Sequence, residues 1–226
     1  SQLEQLLKRT LPSGNSLPIK TDAPVSISRS TSSLRFQAIR RHDGHTSDQI
    51  GLILPTSLCS GQIGRMVASR LNEKALGSEQ SISRFVSLVH TEGCGASNNS
   101  EALYIRTALG YISHPIVKHC LLLEHGCEKT HNDYMRHRIE EMGLDASQLG
   151  WASVQLDGGI QKVMQKIEDW FTEAISQADP LQYDPVGLES LRLGIVSTGV
   201  LSAVASEKLA RLTFPNGRTG SPAVFE

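Results

Sequence analysis

Apolar runs at 50–57, 84–90, 119–125, 151–156 and 191–197 are each followed by a segment of helical periodicity, and this alternation limits the fold more than any other feature of the chain. The helical stretches are 61–76 with Ile63, Met66, Val67 and Leu71 on one face, 99–112 with Leu103, Ile105, Leu109 and Ile112, and 131–142 with Tyr134, Met135, Ile139 and Met142. Gly143 stops the third of these. A longer helix runs to about 177, and another begins near Ser202. Successive strand–helix units cannot form tight hairpins and must cross over, so they predict a mostly parallel sheet covered on both faces. The expected fold is a three-layer, Rossmann-like α/β domain over 34–226.

Before it, residues 1–33 are rich in Ser, Thr and Pro and read as an extended or loosely packed arm. Leu34–Ile39 alternates and suits an edge strand or hairpin arm. Arg40–Asp48 is a polar turn centred on Asp43-Gly44, and Asp179–Gly187 reads as a loop.

Three thiols fall after three of the apolar runs. Cys59 follows 52–58, Cys94 follows 85–90 across a short polar step, and Cys127 follows Cys120–His125. They recur at about 34-residue spacing, the size of a strand–helix–strand step. In an open α/β sheet the carboxyl ends of the strands are where ligands bind. Thiolates are soft ligands for zinc, iron or an iron–sulfur centre. No CxxC pair is present, so each ligand would come from a different strand end, an arrangement that leaves a coordination position open. Buried apolar packing is the competing reading of these cysteines. Cys120 opens its strand and is assigned to the core.

The net charge of −1 implies neither a polyanion nor a membrane surface as partner, and 5% aromatic content argues against base stacking. No apolar stretch approaches the roughly 20 residues of a bilayer span, and a soluble cytoplasmic protein is expected. Four cysteines in 226 residues do not make a disulfide framework.

His90 and His125 stand a few residues before Cys94 and Cys127, where each suits a general base, a metal ligand or hydrogen-bonded scaffolding. His42, His45, His114, His131 and His137 are expected to face solvent. Glu128 opens a helix and is either a first-turn acid favoured by the dipole or a group that orients a ligand or moves a proton. Gly93 and Gly95 flank Cys94 and let backbone N–H groups approach an anionic oxygen. Arg40 and Arg41 have the fork geometry for a carboxylate, with a solvated basic turn as the alternative.

Taken in order, these segments resemble the altronate/galactarate dehydratase family of sugar-acid dehydratases. Arg40-Arg41-His42-Asp43-Gly44 followed by Ile53–Ser60 is similar to its arginine, Asp-Gly and "PT..C" segment, and His90–Gly95 to its "GCG" motif. Leu109–Pro115 followed by His125-Gly126-Cys127-Glu128 is similar to its "HPN…GCE" stretch, and Gln155–Gly159 to a following Gly-Gly turn. The resemblance spans about 34–212.

It implies an iron-dependent lyase that removes water from a hydroxylated sugar acid such as an aldonate or aldarate. Cys59, Cys94 and Cys127 would hold ferrous iron or an iron–sulfur cluster. His90 or His125 would exchange protons, with Glu128 as a further catalytic candidate. Arg41, Asp43, Gly44, Gly93 and Gly95 would bind substrate. The expected partner is a small-molecule sugar acid, with no nucleic acid or membrane; a homo-oligomer is compatible with this.

Two segments depart from the family. His45–Gln49 stands where a Gly-Thr-Arg-Asn-like run is usual, and Ser197–Leu201 where a Cys-Gly-Gly-Ser-Asp-like turn is usual. The chain also stops at Glu226, short of further strands, which reads as a fragment or a shortened relative. These departures raise a second expectation, a non-catalytic metal- or ligand-binding relative that keeps the fold.

Overall fold

The central strands β3 (Ile50–Pro55) and β5 (Val117–Glu124) carry apolar side chains on both faces, the pattern of a parallel sheet covered on both sides. They pair in parallel, with Leu52 opposite Cys120 and Leu54 opposite Leu122. The computed structural model describes residues 34–187, apart from 79, 96 and 97, together with 190. Residues 34–190 form one compact unit. The arm expected at 1–33, the strand at 191–197 and the helix near Ser202 lie outside the described residues.

Two shorter strands complete a four-stranded parallel sheet in the order β4 (Arg84–Ser87), β3, β5, β6 (Gly150–Ser153). Helices α1 (Leu58–Glu73), α2 (Asn98–Ile112), α3 (Asn132–Glu141) and α4 (Ile160–Ser176) follow β3, β4, β5 and β6. Alternate strand residues point to opposite cores. Ile53, Leu121 and Leu123 join Val67 and Leu71 of α1 and Ile167 and Phe171 of α4. Leu52, Leu54, Cys120 and Leu122 join Ile105 and Ala108 of α2 and Met135 and Ile139 of α3. The expected three-layer α/β architecture is present, and Cys120 is in the core, 2% exposed. It sits within β5 rather than at its start.

A separate antiparallel sheet has the order β2 (Gly44–Thr46), β1 (Arg35–Arg41), β7 (Tyr183–Gly187). The 179–187 loop reading is thus corrected. Tyr183–Gly187 pairs with Arg35–Ile39, and Pro185 is tolerated because β7 is an edge strand among the described residues. The strand expected at 84–90 is shorter, and α1 begins at Leu58, which puts Cys59 in its first turn. Met66, Leu103 and Met142 were expected on buried faces and are exposed. No helix among the described residues is long and apolar enough to cross a membrane.

Strand order fixes where a ligand site can form. α1 leaves β3 on one face toward β4, and α3 leaves β5 on the other face toward β6. The crevice between the carboxyl ends of β3 and β5 is therefore the topological switch point of the sheet, the usual ligand position in such folds.

Candidate functional site

Three loops meet at this crevice. Leu58 N donates to the Glu92 carbonyl at 2.7 Å, and Lys129 N donates to the Cys94 carbonyl at 3.4 Å. The loop after β4 is thereby tied to the loops after both central strands. The thiols follow: Cys59 Sγ lies 3.6 Å from Cys94 Sγ, and Cys94 Sγ lies 3.4 Å from Cys127 Sγ. Cys59 and Cys127 are exposed and Cys94 is half-buried. Helix α1 packs closely on β4 and the residues after it: a Cβ on Gly61 would stand 2.2 Å from Val89 Cγ1, and one on Gly64 2.5 Å from Ser87 Oγ.

Electrostatics in the cluster oppose ionisation of Cys59 and Cys94. The Cys59 thiol is raised above its ordinary range, first by its hydrogen bond to Cys94, then by burial and by the charges of Cys94 and Glu128. Cys94 is raised chiefly by its hydrogen bond to Cys127. A soft cation reverses this balance, because thiolates bind it and its charge offsets theirs.

Beneath the thiols lies the Glu128 carboxylate, 3% exposed. Oε1 accepts from Thr56 Oγ1 at 2.7 Å, Ser57 Oγ at 3.0 Å and His125 N at 2.8 Å. Oε2 accepts from Gly126 N at 2.7 Å and Cys127 N at 2.9 Å. Burial alone pushes this carboxyl up, but the Thr56 hydroxyl and the N–H groups of His125, Glu128 and Gly126 outweigh it and bring it down to about 2. Gly126 supplies the turn: its φ of +117° lies in the left-handed region, and a Cβ there would press on the Gln155 side chain at 2.8 Å.

The two histidines have different surroundings. His90 Nδ1 accepts from Glu92 N at 3.2 Å, so Nε2 carries the proton and donates to the Pro55 carbonyl at 2.9 Å. Its ring packs on Tyr104, 4.7 Å between centroids, and the Tyr104 hydroxyl donates to the same carbonyl. Both ring nitrogens of His90 are engaged. His125 places Nδ1 3.3 Å from Cys127 Sγ, while its Nε2 makes no hydrogen bond among the described residues.

The ligand atoms of His125, Cys127 and Glu128 lie within 4.8 Å of one another, a group able to hold a metal ion. Cys94, 3.4 Å from Cys127, and Cys59, 3.6 Å from Cys94, extend this donor set. Sulfur and imidazole donors fit iron or zinc better than a hard cation. Gly93 and Gly95 leave open space where a Cβ would be, so the backbone beside Cys94 is accessible.

The arginine turn is elsewhere. Arg41 Nη1 donates to the Pro115 carbonyl at 2.8 Å and Nε to Asp43 Oδ1 at 3.0 Å. Pro115 precedes β5, so Arg41, Asp43 and Gly44 lie at the amino edge of the parallel sheet, opposite the thiols. A strand of eight residues separates the edges by about 26 Å. Arg40 binds Asp184 through two contacts, Nη2 to Oδ1 at 2.5 Å and Nε to Oδ2 at 2.8 Å, with His45 Nε2 2.9 Å from the same carboxylate. Within one chain the structure does not bring Arg41 to the cysteine site. The cause was readable: residues just before a strand lie at its amino end.

Sequence reasoning passed over His119, within β5. Burial, then the Lys118 charge, push it down to about 4. Its Nε2 is buried with no partner among the described residues, and the ring stands edge-on to Trp170. A polar residue inside an otherwise apolar run was the available signal.

A family model described as D-galactarate dehydratase/altronate hydrolase, second domain, matches residues 40–179 of the 226. No curated protein and no solved structure matches the chain.

Proposed function

Because the chain belongs to the D-galactarate dehydratase/altronate hydrolase family, matching its second domain, we propose that it removes water from a hydroxylated sugar acid at an iron site held by Cys59, Cys94 and Cys127. One observation carries the reading: thiols that follow three strands converge within 3.4 and 3.6 Å at the switch point of the sheet. The substrate class is an aldonate or aldarate.

Dehydration breaks the C–H bond α to the carboxylate, and its electron pair forms a C=C bond as hydroxide leaves the β carbon. The hydroxide departs as water after taking a proton, and the enol reverts to a 2-keto acid. Bound iron supplies an electrophile that lowers the energy of the charge accumulating on the substrate oxygens. His125 is assigned the proton transfers, because its Nε2 is unengaged and its ring is held at Cys127. His90 is assigned to support Pro55 and the Cys94 loop, both its nitrogens being in use. Gly93 and Gly95 give the backbone N–H groups beside Cys94 access to a substrate oxygen.

Anaerobic loading with ferrous iron, followed by a panel of aldonic and aldaric acids, tests this. Formation of a 2-keto-3-deoxy acid from at least one member is expected. Iron-loaded protein with no turnover would favour the second reading, a non-catalytic metal- or ligand-binding relative. The observation favouring that reading is Arg41, whose guanidinium is bound at the far edge of the sheet.

A further inference from the structure

We infer that Glu128 is a positioning residue: it staples the end of β3 to the end of β5 and so sets the positions of Cys59 and Cys127, the two thiols that flank Cys94. This rests on the reading of the thiol cluster as the working site. An ionised carboxylate offers about four lone-pair positions. Glu128 receives five donors, two hydroxyls from the β3 end and three backbone N–H groups from the β5 end. No lone pair remains for a metal ion or a substrate proton, although its oxygens are within 4.8 Å of the His125 and Cys127 ligand atoms.

The donors explain the geometry. Ser57 is the N-cap residue of α1, yet its hydroxyl makes no cap bond and is spent on Glu128. Thr56 is held on its other side by Thr130, whose hydroxyl donates to the Thr56 carbonyl at 2.9 Å. The N–H of Cys127 itself points at Oε2. The backbone that carries one thiol is therefore fixed by the same carboxylate that fixes the start of the helix carrying Cys59. Glutamine cannot replace it. Whichever position its NH2 group takes, it faces at least one backbone N–H.

The test uses the full chain and two probes. Phenylarsine oxide forms two S–As bonds with a close thiol pair and releases its oxygen as water, so it reads the Cys59–Cys94 and Cys94–Cys127 pairs without metal. Cobalt(II) reads the whole donor set through its sulfur-to-metal absorption. Glu128→Gln is expected to keep the native far-ultraviolet circular dichroism, to bind cobalt about 10–100-fold more weakly with a displaced absorption band, and to capture the arsenical at least about tenfold more weakly. A Thr56→Val/Ser57→Ala double variant, which keeps the carboxylate and removes two donors, is expected to fall between; it decides the matter if Glu128→Gln does not fold. Parental affinity for both probes in a folded variant overturns the inference. If the parent protein captures the arsenical but not cobalt, the metal reading fails while the arsenical comparison still decides the role of Glu128. If it captures neither, the thiol pairs are not assembled and the inference falls.

Discussion

Cys94 Sγ lies within 3.6 Å of Cys59 Sγ and 3.4 Å of Cys127 Sγ, which makes it the shared member of both thiol contacts. Its loop is stapled to both neighbouring loops through backbone hydrogen bonds, so its position does not depend on its own side chain. Cys94→Ser is therefore expected to abolish retention of soft metal after anaerobic loading, with little change in melting temperature. Cys120→Ser is the contrasting substitution. Cys120 is enclosed in the apolar core among Leu52, Leu54 and Leu122, and burial pushes its thiol up to about 12. A hydroxyl in its place costs about 1–3 kcal/mol of stability and leaves the metal content unchanged. Elemental analysis and denaturant unfolding measure the two effects; metal loss in Cys120→Ser would contradict this division.

Gly61 limits how closely α1 can approach the residues that follow β4. In Gly61→Ala the new methyl meets Val89 Cγ1 at 2.2 Å, and relief requires the Val89 side chain or α1 itself to move. Overpacking of this kind costs about 1–3 kcal/mol. The helical context, where alanine is normally favoured over glycine by about 1 kcal/mol, would otherwise predict a gain. Urea unfolding gives the sign, and a stabilised variant would show that the contact is slack.

His90 and His125 should separate stability from turnover. His90→Ala removes a donor to the Pro55 carbonyl and an acceptor for Glu92 N, with expected loss of about 1–3 kcal/mol in stability. His125→Ala touches only the Cys127 thiol through its ring and should leave unfolding nearly unchanged. Its effect belongs to catalysis, about 10²–10⁴-fold in kcat. Equal activity losses from the two variants at equal stability would reverse the assignment.

Periodicity carried the parallel sheet, because β3 and β5 are apolar on both faces and helical segments follow them in register with the cysteines. It also carried the thiol cluster, since loops after neighbouring parallel strands share one edge. Side-chain satisfaction was not legible. Nothing in the order His125-Gly126-Cys127-Glu128 says that the acid folds back beneath its own loop to accept from Thr56 and Ser57, 72 and 71 residues away. The same limit hid His90, whose two ring bonds depend on Pro55 and Glu92. β7 was missed because Pro185 and Gly187 are turn residues by composition, and only pairing with β1 makes an extended strand of them.

His119 and Glu128 are among the groups that make stability fall in acid, and their windows adjoin. His119 has a folded value of about 4, lowered from its ordinary 6.5, so it stays neutral when folded while the unfolded chain takes up a proton. Where the unfolded state binds more protons, stability rises with pH. The His119 contribution is thus complete above pH 6.5 and is lost as pH falls toward 4. Glu128, at about 2 against an ordinary 4.5, contributes fully above pH 4.5 and loses that contribution as pH falls toward 2. His119→Phe should remove the dependence between pH 6.5 and 4, with edge packing on Trp170 retained, and leave the lower window intact. Urea midpoints from pH 8 to pH 3 resolve the two. An unchanged slope between pH 6.5 and 4 in His119→Phe would assign that acid sensitivity to another group.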